Sequence, residues 1–190
     1  LTSREDPGKK IGWGAKPERN GIMIPLLSIV GKSNTGKTTL LERLIPELTA
    51  RGYRVASIKH SRHEFEFDRE GKDSWRHRKA GARITVLASP REVVVVETVD
   101  HDLEYEEMEE RYIRNVDIIL AEGRKGNRFP KIEVYRPEIH PELLSRGDGN
   151  LLAVVTDGES GIEVPTFRPD EVKAIADFVE ERILLGGRTR

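Results

Sequence analysis

The chain has 190 residues, no cysteine and a formal net charge of -1, although 34% of its residues are charged. That length suits one α/β domain with a sizeable core, and the lack of cysteine excludes disulfides, thiolate zinc sites and cysteine nucleophiles. The balanced charge supplies no global field to recruit nucleic acid or an anionic membrane, so neither is expected as a partner.

Residues 1–21 are polar and rich in Gly and Pro, which predicts a flexible N-terminal extension ahead of a single domain over residues 22–187. No run approaches the roughly twenty apolar residues of a membrane span, and the N-terminal stretch has no apolar centre of the signal-peptide kind. A cytoplasmic protein is the expectation.

Residues 23–30 read as a buried strand, and residues 39–51 set Leu40, Leu41, Leu44, Ile45 and Leu48 at helical spacing. Pro46 should kink that helix or be tolerated near its end, with Gly52 as its stop. Residues 53–59 form the next strand, residues 73–80 a helix ended by Gly81, and residues 84–88 and 93–97 two further strands. The unbroken valines of 93–96 suggest burial on both faces. An acidic helix over 100–115 has Leu103, Met108, Tyr112 and Ile113 for an apolar face. Strands follow at 116–121, 131–135 (alternating) and 151–155. A last helix covers 170–185, with Val172, Ile175, Ala176, Val179 and Ile183 inward. Strands alternating with helices predict a mostly parallel β-sheet covered by helices on both faces.

Between the first strand and first helix, residues 31–38 read GKSNTGKT, a complete G-x-x-x-x-G-K-[ST] phosphate-binding loop in its required strand-loop-helix context. Gly31 and Gly36 permit the backbone torsions that turn consecutive N–H groups toward phosphate oxygens. Lys37 should reach the β- and γ-phosphates, and Thr38 should offer its hydroxyl to Mg²⁺ while the helix directs its positive end at the same anion.

In an open parallel sheet, ligands lie beyond the carboxyl ends of the strands. Glu122-Gly123 follows one apolar run and places a carboxylate where a P-loop protein holds Mg²⁺ or orients water. Thr156-Asp157 follows another; Asp157 is a candidate acceptor for the guanine N1–H and amine, although Asp-Gly is also an ordinary turn. Residues 59–83 hold three of the five histidines and eight Lys or Arg against five Asp or Glu, a surplus near the phosphate site that suits a second anionic ligand. The His60/His63 pair is weak as a metal site, lacking a thiolate or an evident third ligand.

Three blocks, IPLLSIVGKSNTGKTTLLERLIPEL, IKHSRHEFEFDREGKDSWRHRKAGA and VDIILAEGRKGNRFPKIEVYRP, together resemble the molybdopterin-guanine dinucleotide biosynthesis protein B family. The resemblance implies a P-loop GTP-binding protein related to signal-recognition and MinD-type NTPases, usually a homodimer, with slow Mg²⁺-dependent GTP hydrolysis. Its implied role is to assist a partner guanylyltransferase that attaches GMP to molybdopterin. It further implies that Gly31, Ser33, Asn34, Thr35, Gly36, Lys37, Thr38 and Thr39 hold phosphates and that Glu122 serves Mg²⁺ or water. A second ligand site, with molybdopterin as its candidate ligand, would comprise Lys59, His60, His63, Asp68, Lys72, Asp73 and Arg76. The chain departs from the family at Arg124, where Glu-Gly-Phe-Lys is common. Two other readings of the same loop remain open at this point: a small-molecule kinase and a metal-delivery NTPase. Arg62, Arg69 and Arg76 are candidates for the charge that phosphoryl transfer needs.

Overall fold

The computed structural model of the protein describes residues 24–61, 68–124 and 127–186. The predicted extension over 1–21 lies outside them, as do Arg62 and His63. In chain order the described residues form β1 (Leu26–Val30), α1 (Lys37–Ala50), β2 (Val55–Lys59), α2 (Asp73–Lys79), β3 (Ile84–Ala88), β4 (Val93–Glu97), α3 (Tyr105–Tyr112), β5 (Ile118–Glu122), β6 (Lys131–Val134), β7 (Leu151–Val155), β8 (Thr166–Phe167) and α4 (Val172–Val179), which continues as a π-helical turn over Glu180–Leu185.

Six strands make one parallel sheet in the order β2-β5-β1-β6-β7-β8. The strand carrying the phosphate loop is therefore central. On one face Leu27, Ile29, Leu120 and Ile132 pack against Leu40, Leu44 and Leu48 of α1 and Ile175 and Val179 of α4. On the other, Leu26, Ile58, Ile119 and Ala121 pack against Tyr105 of α3, with Phe129 beside it. Both faces are thus covered, as the alternation of elements predicts.

Pro46 sits inside α1 without ending it. Its ring removes a donor to the Glu42 carbonyl, and both residues face solvent, where water can take the missing bond. Gly52, at φ 93°, closes the helix by donating to the Thr49 carbonyl at 2.9 Å.

Two expectations are corrected. The valines of β4 are not buried on both faces: β3 and β4 form a separate antiparallel hairpin, and Val93 is 64% exposed. A continuous apolar run marks a surface to be covered without saying what covers it. The alternating run at β6 is buried at every position. Lys131 is enclosed with Asp148 and the Asn127 carbonyl as partners, and Glu133 accepts the amides of Leu144 and Ser145 at 2.7 and 2.8 Å. Each buried charge is satisfied, which makes a polar residue tolerable in a central strand.

Candidate functional site: a phosphate-binding cleft

The strand registers assemble the site. Ile29 of β1 and Lys59 of β2 both lie beside Glu122 of β5, so Glu122 ends its strand two residues before the phosphate loop begins on its neighbour. Gly31 at the start of the loop has φ 146°, and a Cβ there would stand 2.4 Å from the Val134 carbonyl oxygen and 2.8 Å from Thr35 Oγ1. Only glycine lets the loop leave β1 this close to β6. Asn34 and Gly36 also take positive φ, 66° and 97°, and nothing lies within 4 Å of a Cβ added at Gly36. The loop is tight against the sheet at Gly31 and open at Gly36.

The resulting cleft, of about 530 Å³, is lined by Ser33, Asn34, Gly36, Lys37, Thr38, Thr39, Lys59 and Glu122. Seven of these are predicted site residues of the loop and of Glu122, and Lys59 joins them from the second set. Thr35 is instead buried, its hydroxyl donating to the Lys32 carbonyl at 3.0 Å. The Lys37 ammonium donates to that same carbonyl at 2.7 Å, which folds the side chain back over the loop. The Thr38 hydroxyl lies 3.2 and 3.3 Å from the Glu122 carboxylate oxygens, and Lys59 Nζ pairs with Glu122 Oε1. Glu122 is 5% exposed. A buried carboxylate is thus shared by a hydroxyl and an ammonium at the mouth of a loop built to hold phosphate.

This donor set fits Mg²⁺. A hydroxyl and a carboxylate in hydrogen-bond reach of each other are hard oxygen ligands, and Mg²⁺ bound with a nucleotide takes its remaining ligands from phosphate and water. Thr38 and Glu122 are the residues that would hold it. Among the described residues no group of three or more His, Cys, Asp or Glu converges as a metal site.

The rest of the second set divides. His60 lies next to Lys59 but turns away from the loop: its Nε2 meets Asp102 Oδ1 at 3.0 Å, and this hydrogen bond holds the Asp102 carboxyl below its ordinary range. The pair borders a groove of about 510 Å³ between β2, β4 and α3. Asp68 accepts from Ser74 Oγ at 3.0 Å and lies 3.7 Å from Arg78, bracing α2. Lys72, Asp73 and Arg76 are exposed, and none lines the phosphate cleft. His63 lies outside the described residues.

Asp157 follows β7 and pairs with Arg136, whose Nε also approaches the Thr35 carbonyl at 3.4 Å. Arg136 and Asp102 are the additions that the sequence did not reveal; an arginine after a strand and an acid before a helix carry no distinguishing pattern. Arg124 lies 5.9 Å from the centre of the Tyr105 ring and donates to the Leu103 carbonyl at 3.3 Å and to Glu104 at 2.5 Å.

A family model described as molybdopterin guanine dinucleotide synthesis protein B matches residues 26–157. The molybdopterin-guanine dinucleotide biosynthesis adapter protein of Haemophilus influenzae is 40% identical over 158 residues, covering 83% of this chain and 88% of that protein. The protein of the same description from Escherichia coli is 40% identical over 168 residues, covering 84% and 93%. A crystal structure of molybdopterin-guanine biosynthesis protein B superposes with a TM-score of 0.67 at 33% identity, covering 83% of this chain and 97% of its own. The parallel sheet is therefore that of a P-loop NTPase, and the chain belongs to the molybdopterin guanine dinucleotide synthesis protein B family.

Proposed function

We propose that the protein is a GTP-binding adapter in molybdopterin guanine dinucleotide synthesis. In this reading it hydrolyses GTP slowly with Mg²⁺ and assists a partner guanylyltransferase that joins GMP to molybdopterin. The observation that carries it is the convergence of Lys37, Thr38 and Glu122 on one cleft at the end of β1. The loop amides and Lys37 bind the phosphates, Thr38 and Glu122 hold Mg²⁺, and Glu122 is close enough to orient a water. Bound Mg²⁺ would neutralise charge on the β- and γ-phosphates.

Slow turnover accords with the lining. Among the described residues no arginine lines the cleft, and a missing finger can cost a factor of about 10³ to 10⁵. Arg76 is exposed on α2 and 3.9 Å from Asp73. A low intrinsic rate suits an adapter whose bound state, more than its turnover, is read by a partner. The small-molecule kinase, whose acceptor would bind at Lys59 to Arg76, keeps only Lys59 at the cleft, since Lys72, Asp73 and Arg76 do not line it.

The proposed assembly is a homodimer acting in the cytoplasm. Ile84, Val86, Val93 and Val95 share one face of the β3–β4 hairpin and are all exposed, an apolar patch that a second copy would cover. Among the described residues no helix is long and apolar enough to cross a membrane. GTP hydrolysis measured alone and with the guanylyltransferase tests the adapter reading. A slow rate alone is expected, and a fast, partner-independent rate contradicts it.

A further inference from the structure

We propose that Lys59 is a second residue, beside Lys37, that brings positive charge to the γ-phosphate, a role for which Arg69 and Arg76, neither of which lines the cleft, are not placed. The inference rests on the nucleotide-binding reading of the cleft. It moves Lys59 from a second ligand site to the nucleotide itself.

Three observations carry it. First, the β2–β5 register sets Lys59 directly beside Glu122, so the sheet itself fixes the ammonium's root at the edge of the phosphate cleft. Second, the Lys59 side chain is 62% exposed, yet its Nζ is turned onto a carboxylate that is almost fully buried. A long flexible cation on a solvated stem is free to exchange one anion for another. Third, among the described residues Lys37 and Lys59 are the cationic side chains that line the cleft. The nearby guanidinium of Arg136 is engaged by Asp157.

The Glu122 carboxylate holds Lys59 at the cleft. A triphosphate entering between them would offer Lys59 a more highly charged partner, with Thr38 and Glu122 the residues that would hold the accompanying Mg²⁺. In hydrolysis the water oxygen forms a bond to the γ-phosphorus as the bond to the bridging oxygen breaks. The electron pair leaves on GDP, and both water protons depart with inorganic phosphate as H2PO4⁻. Negative charge grows on the bridging oxygen and is spread over the γ-oxygens, within reach of an ammonium rooted at β2. An ammonium is a compact and strongly hydrated point charge that cannot make the two parallel bonds of a guanidinium. Slow turnover is consistent with that substitution.

The test compares wild type, Lys59→Gln and Lys59→Arg by calorimetric titration with GDP and with a non-hydrolysable GTP analogue in Mg²⁺, together with single-turnover hydrolysis. Lys59→Gln should weaken the analogue about tenfold or more, the size of a lost hydrogen bond to a charged group. GDP affinity should stay within about twofold, because GDP has no γ-phosphate to meet. Hydrolysis should fall with the analogue's affinity, and Lys59→Arg should restore the analogue. Equal losses for GDP and analogue, no loss, or tighter analogue binding would overturn the assignment while leaving the nucleotide site intact. Absence of binding to wild type would overturn the nucleotide reading itself.

Discussion

Arg136 pairs with Asp157 and extends its Nε toward the Thr35 carbonyl at 3.4 Å, so one guanidinium joins the phosphate loop to the segment that follows β7. The candidate base reader is therefore already engaged by a cation. A guanine at Asp157 must share the carboxylate with Arg136 or displace it. If Asp157 reads the base, Asp157→Asn should lower the preference for GTP over ATP about tenfold, as two hydrogen bonds to a charged acceptor are weakened. Arg136→Ala should weaken both nucleotides alike by loosening the loop. Competitive titrations with both nucleotides check this, and an unaltered preference in Asp157→Asn removes it from the site.

The glycines of the site separate folding from binding. A Cβ at Gly123 would meet the His60 carbonyl oxygen at 2.3 Å, and one at Gly31 the Val134 carbonyl oxygen at 2.4 Å. Backbone on both sides cannot yield cheaply, so Gly123→Ala and Gly31→Ala should each cost about 3 kcal/mol or more in stability. Gly36→Ala meets nothing within 4 Å and should cost only the strain of its positive φ, about 1–2 kcal/mol. It should nonetheless impair phosphate binding, since the Cβ enters the open side of the loop. Urea melts alongside nucleotide titrations distinguish the two kinds of loss.

The pair of buried Lys131 with half-buried Asp148 predicts a specific pH dependence. Lys131 is 1% exposed, and its hydrogen bond, followed by the Asn150 amide, holds the Asp148 carboxyl below its ordinary value of 3.8. Because the folded pKa is depressed, the contribution is fully present above that value and is lost as pH falls below it toward the folded pKa. Asp148→Ala should cost about 3 kcal/mol at neutral pH, by leaving a buried ammonium underpaired. Lys131→Met should cost far less, because Asp148 keeps 29% side-chain exposure and can be solvated. Stability measured from pH 7 to 3 should show a shallower acid fall in both variants than in wild type.

The exposed face of the β3–β4 hairpin predicts an association equilibrium. Val86 and Val95 are directly paired across the two strands and are 57% and 47% exposed. Charged substitutions at both, Val86→Lys with Val95→Lys, should leave the fold unchanged and shift a dimer to monomer through like-charge repulsion and loss of apolar contact. Sedimentation at several protein concentrations reads the outcome. A wild-type chain that stays monomeric throughout contradicts the dimer.

Much of this arrangement is legible in the sequence because several levels of signal coincide. The apolar runs before Gly31, Glu122 and Thr156 all became strands of one parallel sheet, and the helical spacing of Leu40, Leu44 and Leu48 became the face of α1 that covers it. The rest depends on pairing that no local pattern records. Val93 and Val95 look like core residues, yet no element of the described chain covers that face of the hairpin. Lys131 and Glu133 look like the outward positions of a half-buried strand, yet their partners at Asp148, Leu144 and Ser145 come from a loop eleven or more residues onward. The second ligand set lies within one segment of the sequence, but of its described members Lys59 lines the phosphate cleft and His60, Asp68, Lys72, Asp73 and Arg76 do not. Strand β8 is two residues long and leaves no period to detect.

The central claim is that the loop from Gly31 to Thr38 binds a nucleoside triphosphate through Lys37. Calorimetric titration of wild type and Lys37→Ala with GTP in Mg²⁺ tests it most directly. Saturable binding to wild type and its loss in a folded Lys37→Ala variant is the predicted result; no binding to wild type, or equal affinity in the variant, would contradict it.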